Sequence, residues 1–188
     1  MSRIADFLTS CLEKVICSGP SNRFFSNMRW KFYRNSLRQC SGLFTSFTGL
    51  WITNPKNVSI GSGVSLNTHV FVGAGEQGEI EVGNNCLIGP YVVIRAEDHR
   101  FDSLEKPIRE QGHKSGKIVI EDDCWICAHV TITKDVTIGK GSVIGANSVV
   151  TRNIPAYSVA AGNPAKVLRS RLLQISPDPN HSPSPADL

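Results

Sequence analysis

The sequence is poor in aromatic residues and has no strong excess of charge. Aromatic side chains make up 7% of its 188 residues against 40% for all hydrophobic ones, and Gly, Val and Ile are abundant. This balance favours β structure with many tight turns over a helical bundle. The net charge is only +4, and no stripe of Lys and Arg with interleaved aromatics is present in the repeat region. Nucleic acid is therefore not an expected partner.

The six cysteines do not show the pattern of a disulfide framework. A small secreted scaffold would be shorter and would begin with a signal peptide. The N-terminal apolar run fits neither a signal peptide nor a membrane span, because Asp6, Glu13 and Lys14 interrupt it. Cys124 and Cys127 form a single C-x-x-C without a second pair, so we expect no metal. The default expectation is a cytoplasmic protein.

Residues 1–50 are predicted to form a helical segment. Apolar residues first recur with the i, i+3, i+4, i+7 spacing of an amphipathic helix, which Gly19-Pro20 should end. A second stretch, residues 23–39, mixes aromatic with basic side chains. Two interpretations stay open. The helices pack against the base of the main domain, or they contact an anionic membrane surface and place the protein at the inner face of the membrane.

The strongest signal is an aliphatic residue at every sixth position. Twelve residues follow this rhythm: Ile60, Leu66, Val72, Val82, Ile88, Ile94, Ile120, Ile126, Ile132, Ile138, Ile144 and Val150. The periods of strands and helices do not explain a repeat of six, whereas a triangular coil does. Each hexad forms one flat face, and the aliphatic residues of successive coils stack inside the prism. The predicted fold class is mainly β, a parallel β-helix over residues 51–156.

One long interruption divides the repeat. Residues 95–117 are polar and lack the six-residue rhythm until Ile118. A solenoid tolerates insertions as loops on one face, and such loops often carry function, so an active-site loop is expected here. After the repeat, residues 157–175 are predicted to form a short strand and a helix. The Pro- and Ser-rich residues 176–188 are expected to be disordered.

Five segments of the chain resemble the hexapeptide-repeat O-acetyltransferases, which include galactoside, maltose, xenobiotic and surface-polysaccharide acetyltransferases. They read CLIGPYVVI from Cys86, DHRFD from Asp98, WICAHVTI from Trp125, IGANSVVT from Ile144 and AGNPAK from Ala161. The resemblance implies a left-handed β-helix, acetyl-CoA as co-substrate and no metal. It also implies a homotrimer with active sites between subunits, and a carbohydrate hydroxyl as the acceptor.

The resemblance makes His99, at the start of the loop, the catalytic base. The chemistry needs such a group, because an alcohol attacks a thioester poorly unless its proton leaves, and imidazole titrates near neutral pH. The carboxylates of Glu97, Asp98 and Asp102 are close in sequence, and which of them orients the imidazole stays open. Asp98 and Asp102 are also assigned to the acceptor, together with Asn67. The alternatives are a solvated loop histidine and a turn-forming asparagine.

The resemblance assigns further residues to the coenzyme. Ala128 matches the residue whose backbone N–H faces the thioester oxygen. A main-chain N–H can stabilise the oxyanion whatever the side chain is. Trp125 matches a tryptophan that walls the cleft, and next to it Cys127 replaces the usual Gly. Contacts with the pantetheine arm or the nucleotide phosphates are implied for Ala146, Thr151, Arg152, Lys166 and Arg169. For the basic residues, solvated surface charge is the alternative.

Two other functions stay open, because a β-helix alone does not dictate chemistry. A zinc-dependent carbonic anhydrase needs three histidines that converge between subunits, and that family's His-x4-His pair is absent from this sequence. A non-catalytic binding or structural module would not need the long loop with His99. The prediction is therefore direct acetyl transfer from acetyl-CoA to a hydroxyl of a sugar or polysaccharide precursor.

Overall fold

The computed structural model describes residues 3–172, with side chains from residue 9 onward. The predicted disordered tail, residues 176–188, lies outside the described residues. Within them, two α-helices precede nineteen short strands. The helices are α1 (Arg3–Ser18) and α2 (Arg23–Tyr33), so the second ends earlier than the sequence predicted. In residues 3–172 no helix is long and apolar enough to cross a membrane.

Three sheets of short strands surround one core. The first sheet contains β1 (Gln39–Cys40), β4 (Val58–Ile60), β7 (Glu79–Val82), β12 (Lys117–Ile120) and β15 (Val136–Ile138). The second contains β2 (Thr45–Ser46), β5 (Ser65–Leu66), β8 (Leu87–Ile88), β13 (Trp125–Ile126), β16 (Val143–Ile144), β18 (Ser158–Ala161) and β19 (Lys166–Ser170). The third contains β3 (Trp51–Thr53), β6 (Phe71–Gly73), β9 (Val93–Arg95), β14 (Thr131–Ile132) and β17 (Val149–Val150). A separate hairpin is formed by β10 (Glu97–His99) and β11 (His113–Ser115).

The chain passes from sheet to sheet in a fixed order, so it winds as a triangular coil. Ile126 of β13 is in parallel register with Ile88 of β8 and Ile144 of β16. These side chains are at most 2% exposed, and burial of each contributes about 1.5–3 kcal/mol. The six-residue rhythm therefore marks the stacked core residues, and the predicted parallel β-helix is confirmed.

The β-helix begins at Gln39, earlier than the predicted boundary at residue 51. Strands β1, β2 and β3 form a complete first coil below β4, β5 and β6. In this coil Cys40 and Ser46 occupy the positions that aliphatic residues occupy in the next one. For this reason the six-residue pattern does not reveal the first coil. Phe44, 1% exposed, fills the core there instead.

The two helices cover the N-terminal end of the β-helix. Arg29 of α2 is fully buried and donates hydrogen bonds to the carbonyl oxygens of Ser46 (3.1 Å) and Gly19. Tyr33 of α2 donates to a carboxylate oxygen of Glu13 in α1, at 2.6 Å. These contacts join both helices and the first coil, so the helices pack against the base of the prism.

The C-terminal segment closes the opposite end with a second strand. A turn at Gly162, whose φ is +105°, reverses the chain, and glycine adopts this backbone region readily. β19 then runs antiparallel to β18, with Val159 opposite Arg169. The described part of residues 157–175 therefore contains two strands, where the sequence predicted a strand and a helix. Pairing with the open edge of the second sheet satisfies the backbone groups of β19.

A charged network covers the outer face of the first sheet. Arg38 contacts the carboxylates of Glu79 (3.0 Å) and Glu81 (2.6 Å), and Lys117 contacts Glu81 at 2.9 Å. Hydrogen bonds from Lys117, and then from Arg38, lower the pKa of Glu81 below its ordinary value. A depressed pKa stabilises the fold above the unfolded value of about 4.3, and the contribution is lost as the pH falls through the folded value.

Replacing Glu81 by Gln should therefore destabilise the protein at pH 7 but have little effect in acid. The side chains are partly exposed, so the expected loss is about 0.5–1 kcal/mol. Urea unfolding at pH 7 and pH 3 measures it, with Glu105→Gln as an exposed control from the loop. An equal loss at both pH values would exclude an electrostatic origin.

Candidate active site

The interruption in the repeat forms a protruding hairpin. It leaves the β-helix after β9 of the third sheet and returns at β12 of the first, so it rises from the edge between these two sheets. The Ala96 amide anchors it by donating to the Gly73 carbonyl at 2.9 Å. The Glu97 carboxylate adds a second anchor, because it accepts a hydrogen bond from the Glu76 amide at 3.3 Å. The base of the hairpin is thus fixed to the prism.

His99 ends strand β10, and its side chain is exposed. It borders a cavity of about 110 Å³ together with Asp98, Arg100, Phe101, Asp102, Lys114 and Lys134. Three of the predicted site residues, His99, Asp98 and Asp102, are therefore brought together. An exposed imidazole beside a small polar cavity can accept a proton from a bound hydroxyl group.

The carboxylates nearest His99 in sequence have partners of their own. The Asp98 carboxylate lies 3.3 Å from the Lys134 ammonium. Glu97 accepts a hydrogen bond from the Ser115 hydroxyl at 3.2 Å. Sequence reasoning missed Lys134, because nothing in the sequence places it next to a hairpin that lies 36 positions earlier.

A second group of predicted residues lies on the edge between the second and third sheets. Ala128 and Ala146 occupy the same position in consecutive coils, and the Asn147 amide donates to the Ala128 carbonyl at 3.0 Å. Pro90 holds this position one coil earlier, where its carbonyl accepts from the His129 amide at 2.9 Å. Among residues 3–172, none accepts a hydrogen bond from the Ala128 or Ala146 amide. Both N–H groups therefore lack an acceptor within the described part of the chain.

Asn67 lies on the same edge, two coils before Ala128. Its side-chain oxygen accepts a hydrogen bond from the Thr68 amide at 2.7 Å. Beside it the rings of His69, Tyr91 and His129 form a column, with centroids 5.0 and 4.9 Å apart and planes within 3° of parallel. Each of the three has a φ of 55–58°, a conformation that costs a non-glycine residue about 1–2 kcal/mol. Stacking of the rings offsets this cost and stiffens the edge.

The remaining predicted coenzyme residues are exposed and lie towards the C-terminal end. Trp125 is on the outer face of the second sheet and is 51% exposed. Thr151 and Arg152 follow β17, so they share the edge from which the hairpin rises, whereas Lys166 and Arg169 belong to β19. The exposed side chains of Arg152, Lys166 and Arg169 can bind an anion along this end of the prism.

The two groups occupy different edges of one chain. His99, Asp98 and Asp102 rise from the edge between the third and first sheets, whereas Asn67 and Ala128 lie on the edge between the second and third. The full width of the third sheet separates them. A single chain therefore does not bring the predicted base to the predicted amide donor.

Comparison with known proteins supports the same reading of the fold. The family model "Bacterial transferase hexapeptide (six repeats)" matches residues 117–152. The galactoside O-acetyltransferase of Escherichia coli K12 is 34% identical over 128 residues, which are 63% of this chain and 60% of that protein. An acetyltransferase of unproven activity from Saccharomyces cerevisiae, YJL218W, is 35% identical over 144 residues, covering 76% of this chain and 71% of that one. The chain spans 32–60% of the length of the first four curated relatives it matches.

Solved structures show the same architecture. The hexapeptide-repeat acetyltransferase of Vibrio cholerae O1 biovar eltor, complexed with acetyl-CoA, is 29% identical and has a TM-score of 0.71. The match covers 90% of each chain. The predicted left-handed parallel β-helix is thus confirmed.

Proposed function

Because the chain belongs to the hexapeptide-repeat acetyltransferase family, we propose that it transfers an acetyl group from acetyl-CoA to a hydroxyl of a sugar or polysaccharide precursor. The observation that carries the proposal is the exposed His99 on a hairpin anchored to the β-helix. A relative named as a galactoside O-acetyltransferase supports the acceptor class, and a structural neighbour solved with acetyl-CoA supports the donor.

In the proposed reaction, the His99 imidazole takes the proton of the acceptor hydroxyl as its oxygen attacks the thioester carbonyl. The Ala128 amide donates a hydrogen bond to the oxyanion of the tetrahedral intermediate. When the C–S bond breaks, the proton passes from His99 to the departing sulfur. The products are the acetyl ester and free coenzyme A, and no acetylated enzyme forms.

The coenzyme is proposed to run along the C-terminal half of the prism. The free amide of Ala146 meets the pantetheine arm one coil beyond Ala128, and Trp125 forms one wall. Thr151 and Arg152 lie on the hairpin edge, so they are proposed to line this track from the neighbouring copy, with Lys166 and Arg169 near the phosphates. The phosphates are anionic, so basic side chains there form charge-assisted hydrogen bonds.

A homotrimer is proposed to complete the site. Since the third sheet separates His99 from Ala128 within one chain, the amide must come from a neighbouring copy if both act on one substrate. In a closed ring of identical subunits, each hairpin can reach the neighbour's edge that carries Ala128. Each trimer then contains three equivalent sites.

The thiol of Cys127 offers a test of direct transfer. Burial raises the pKa of this thiol, so it is a poor nucleophile at neutral pH although it adjoins Ala128. Cys127→Ala should keep kcat within about threefold of wild type, because no covalent step uses the sulfur. Mass spectra of acid-quenched enzyme should show no added acetyl group. An acetylated Cys127 in the wild type, together with an inactive variant, would contradict direct transfer.

Contact with the inner face of the membrane is a further proposal for residues 1–50. This segment contains seven basic and two acidic residues, although the whole chain has a net charge of only +4. Leu12, Val15 and Phe24 are 51%, 69% and 68% exposed in the two helices.

Sedimentation with vesicles of 30% phosphatidylglycerol, against pure phosphatidylcholine, tests this membrane contact at roughly physiological salt. We expect binding to the anionic vesicles alone, and Phe24→Ser should weaken it. Equal binding to both, or to neither, would refute the contact.

The acceptor can be identified by measuring thiol release from acetyl-CoA. Sugars, nucleotide sugars, oligosaccharides and antibiotics should be screened separately, with hydrolysis without acceptor as the baseline. The proposal expects acceptor-dependent release with a carbohydrate, and an acetyl ester in the product by NMR. No turnover with any hydroxyl acceptor, together with no binding of coenzyme A, would favour a non-catalytic module.

A further inference from the structure

His99 faces a second histidine across the hairpin. His99 and His113 are direct partners in the antiparallel pairing of β10 with β11, so their side chains lie on the same face. Their ring centroids are 4.4 Å apart and the ring planes are tilted by 41°. Among the described residues, no other side chain ring packs against His99.

The hairpin backbone is fixed just beyond this pair. The Arg100 amide donates to the Gly112 carbonyl at 3.0 Å, and the Arg100 Nε donates to the His113 carbonyl at 3.2 Å. Both bonds close the hairpin on the side away from the prism. His113 therefore presents its ring from a constrained backbone, although the side chain itself is exposed.

The two carboxylates nearest to His99 in strand β10 have partners other than His99. Glu97 is engaged with Ser115 and with the Glu76 amide, and Asp98 is paired with Lys134. Asp102 shares the cavity with His99, but among the described residues the side chain that packs against the His99 ring is that of His113.

We propose that His113 is a positioning residue for His99. Its ring removes rotamers of the His99 side chain and holds the imidazole where one nitrogen can meet the acceptor hydroxyl. This inference rests on the proposed role of His99 as general base. A small displacement of a catalytic group costs up to about 100-fold in rate, so restraint by a neighbouring ring is sufficient to matter.

The test is a double-mutant cycle on acetyl transfer, with His99→Ala, His113→Ala and the double variant. We expect His113→Ala to lower kcat by about 10- to 100-fold, with the dissociation constant of coenzyme A nearly unchanged. In the His99→Ala background, removal of His113 should change nothing further, because it acts only through His99. Independent, multiplicative losses would overturn the proposal.

Two more variants separate positioning from other roles. His113→Phe keeps a flat ring but no nitrogen, so it should restore most of the activity lost in His113→Ala. If His113→Phe is as inactive as His99→Ala, the nitrogen itself takes part in the reaction and positioning is refuted. Glu110→Ala, on the exposed loop of the same hairpin, is the matched control. If His99→Ala itself keeps normal turnover, His99 is not the base, and the positioning role of His113 is refuted with it.

Discussion

Replacing His99 by Ala should lower kcat for acetyl transfer by a factor of about 10²–10⁴, the usual contribution of a general base. The loss arises because the acceptor hydroxyl then keeps its proton while it attacks the thioester. Since the side chain is exposed on a hairpin outside the core, the melting temperature should not change. The dissociation constant of coenzyme A, measured by calorimetry, should also stay close to that of wild type.

The controls for this variant distinguish chemistry from damage to the hairpin. Glu110→Ala changes an exposed residue of the same loop and should keep full activity. A His99→Ala protein with near-normal turnover would remove His99 from the catalytic role. A variant that loses coenzyme binding in proportion to kcat would show that the hairpin supports binding instead of proton transfer.

The second large loss of kcat is expected when one backbone amide is removed. Ala128→Pro removes the N–H that is proposed to stabilise the oxyanion, and loss of one such donor typically costs about 10²–10³ in kcat. The fold accommodates proline at this place, because Pro90 occupies the equivalent position of the preceding coil. The amide has no acceptor among residues 3–172, so its removal breaks no hydrogen bond that they make.

The matched control is Ala128→Gly, which keeps the amide and removes only the methyl group. It should retain most of the wild-type rate, whereas Ala128→Pro should not. Steady-state kinetics with saturating acetyl-CoA measures both, and thermal melts check that each variant folds. If the two variants lose the same activity, the side chain or the local conformation matters and the amide does not.

The sequence predicted the β-helix because its core repeats. In the regular coils the side chains that point into the prism are apolar, so Ile126 and its neighbours leave a six-residue period in the sequence. The same reasoning explains the omission of the first coil. Cys40 and Ser46 occupy the core positions of that coil. Phe44 and helix α2 bury this end of the core, which aliphatic residues fill in the later coils.

The site was only partly accessible from the sequence. Motif resemblance pointed to His99 and Ala128, but the sequence does not tell which edge of the prism each residue occupies. His113 could be found only once the pairing of β10 with β11 was known, because its distance from His99 depends on the register of the hairpin. Long-range partners of this kind, such as Lys134 for Asp98, leave no local pattern.

We propose that His99 and the Ala128 amide act on one substrate from two copies of the chain. The test is to mix the inactive variants His99→Ala and Ala128→Pro, unfold them together and refold them as mixed oligomers. With random assembly into trimers, about one quarter of the sites combine an intact His99 with an intact Ala128 from its neighbour. We predict recovery of about that fraction of wild-type activity. Mixed oligomers no more active than either variant alone would refute a site shared between two copies.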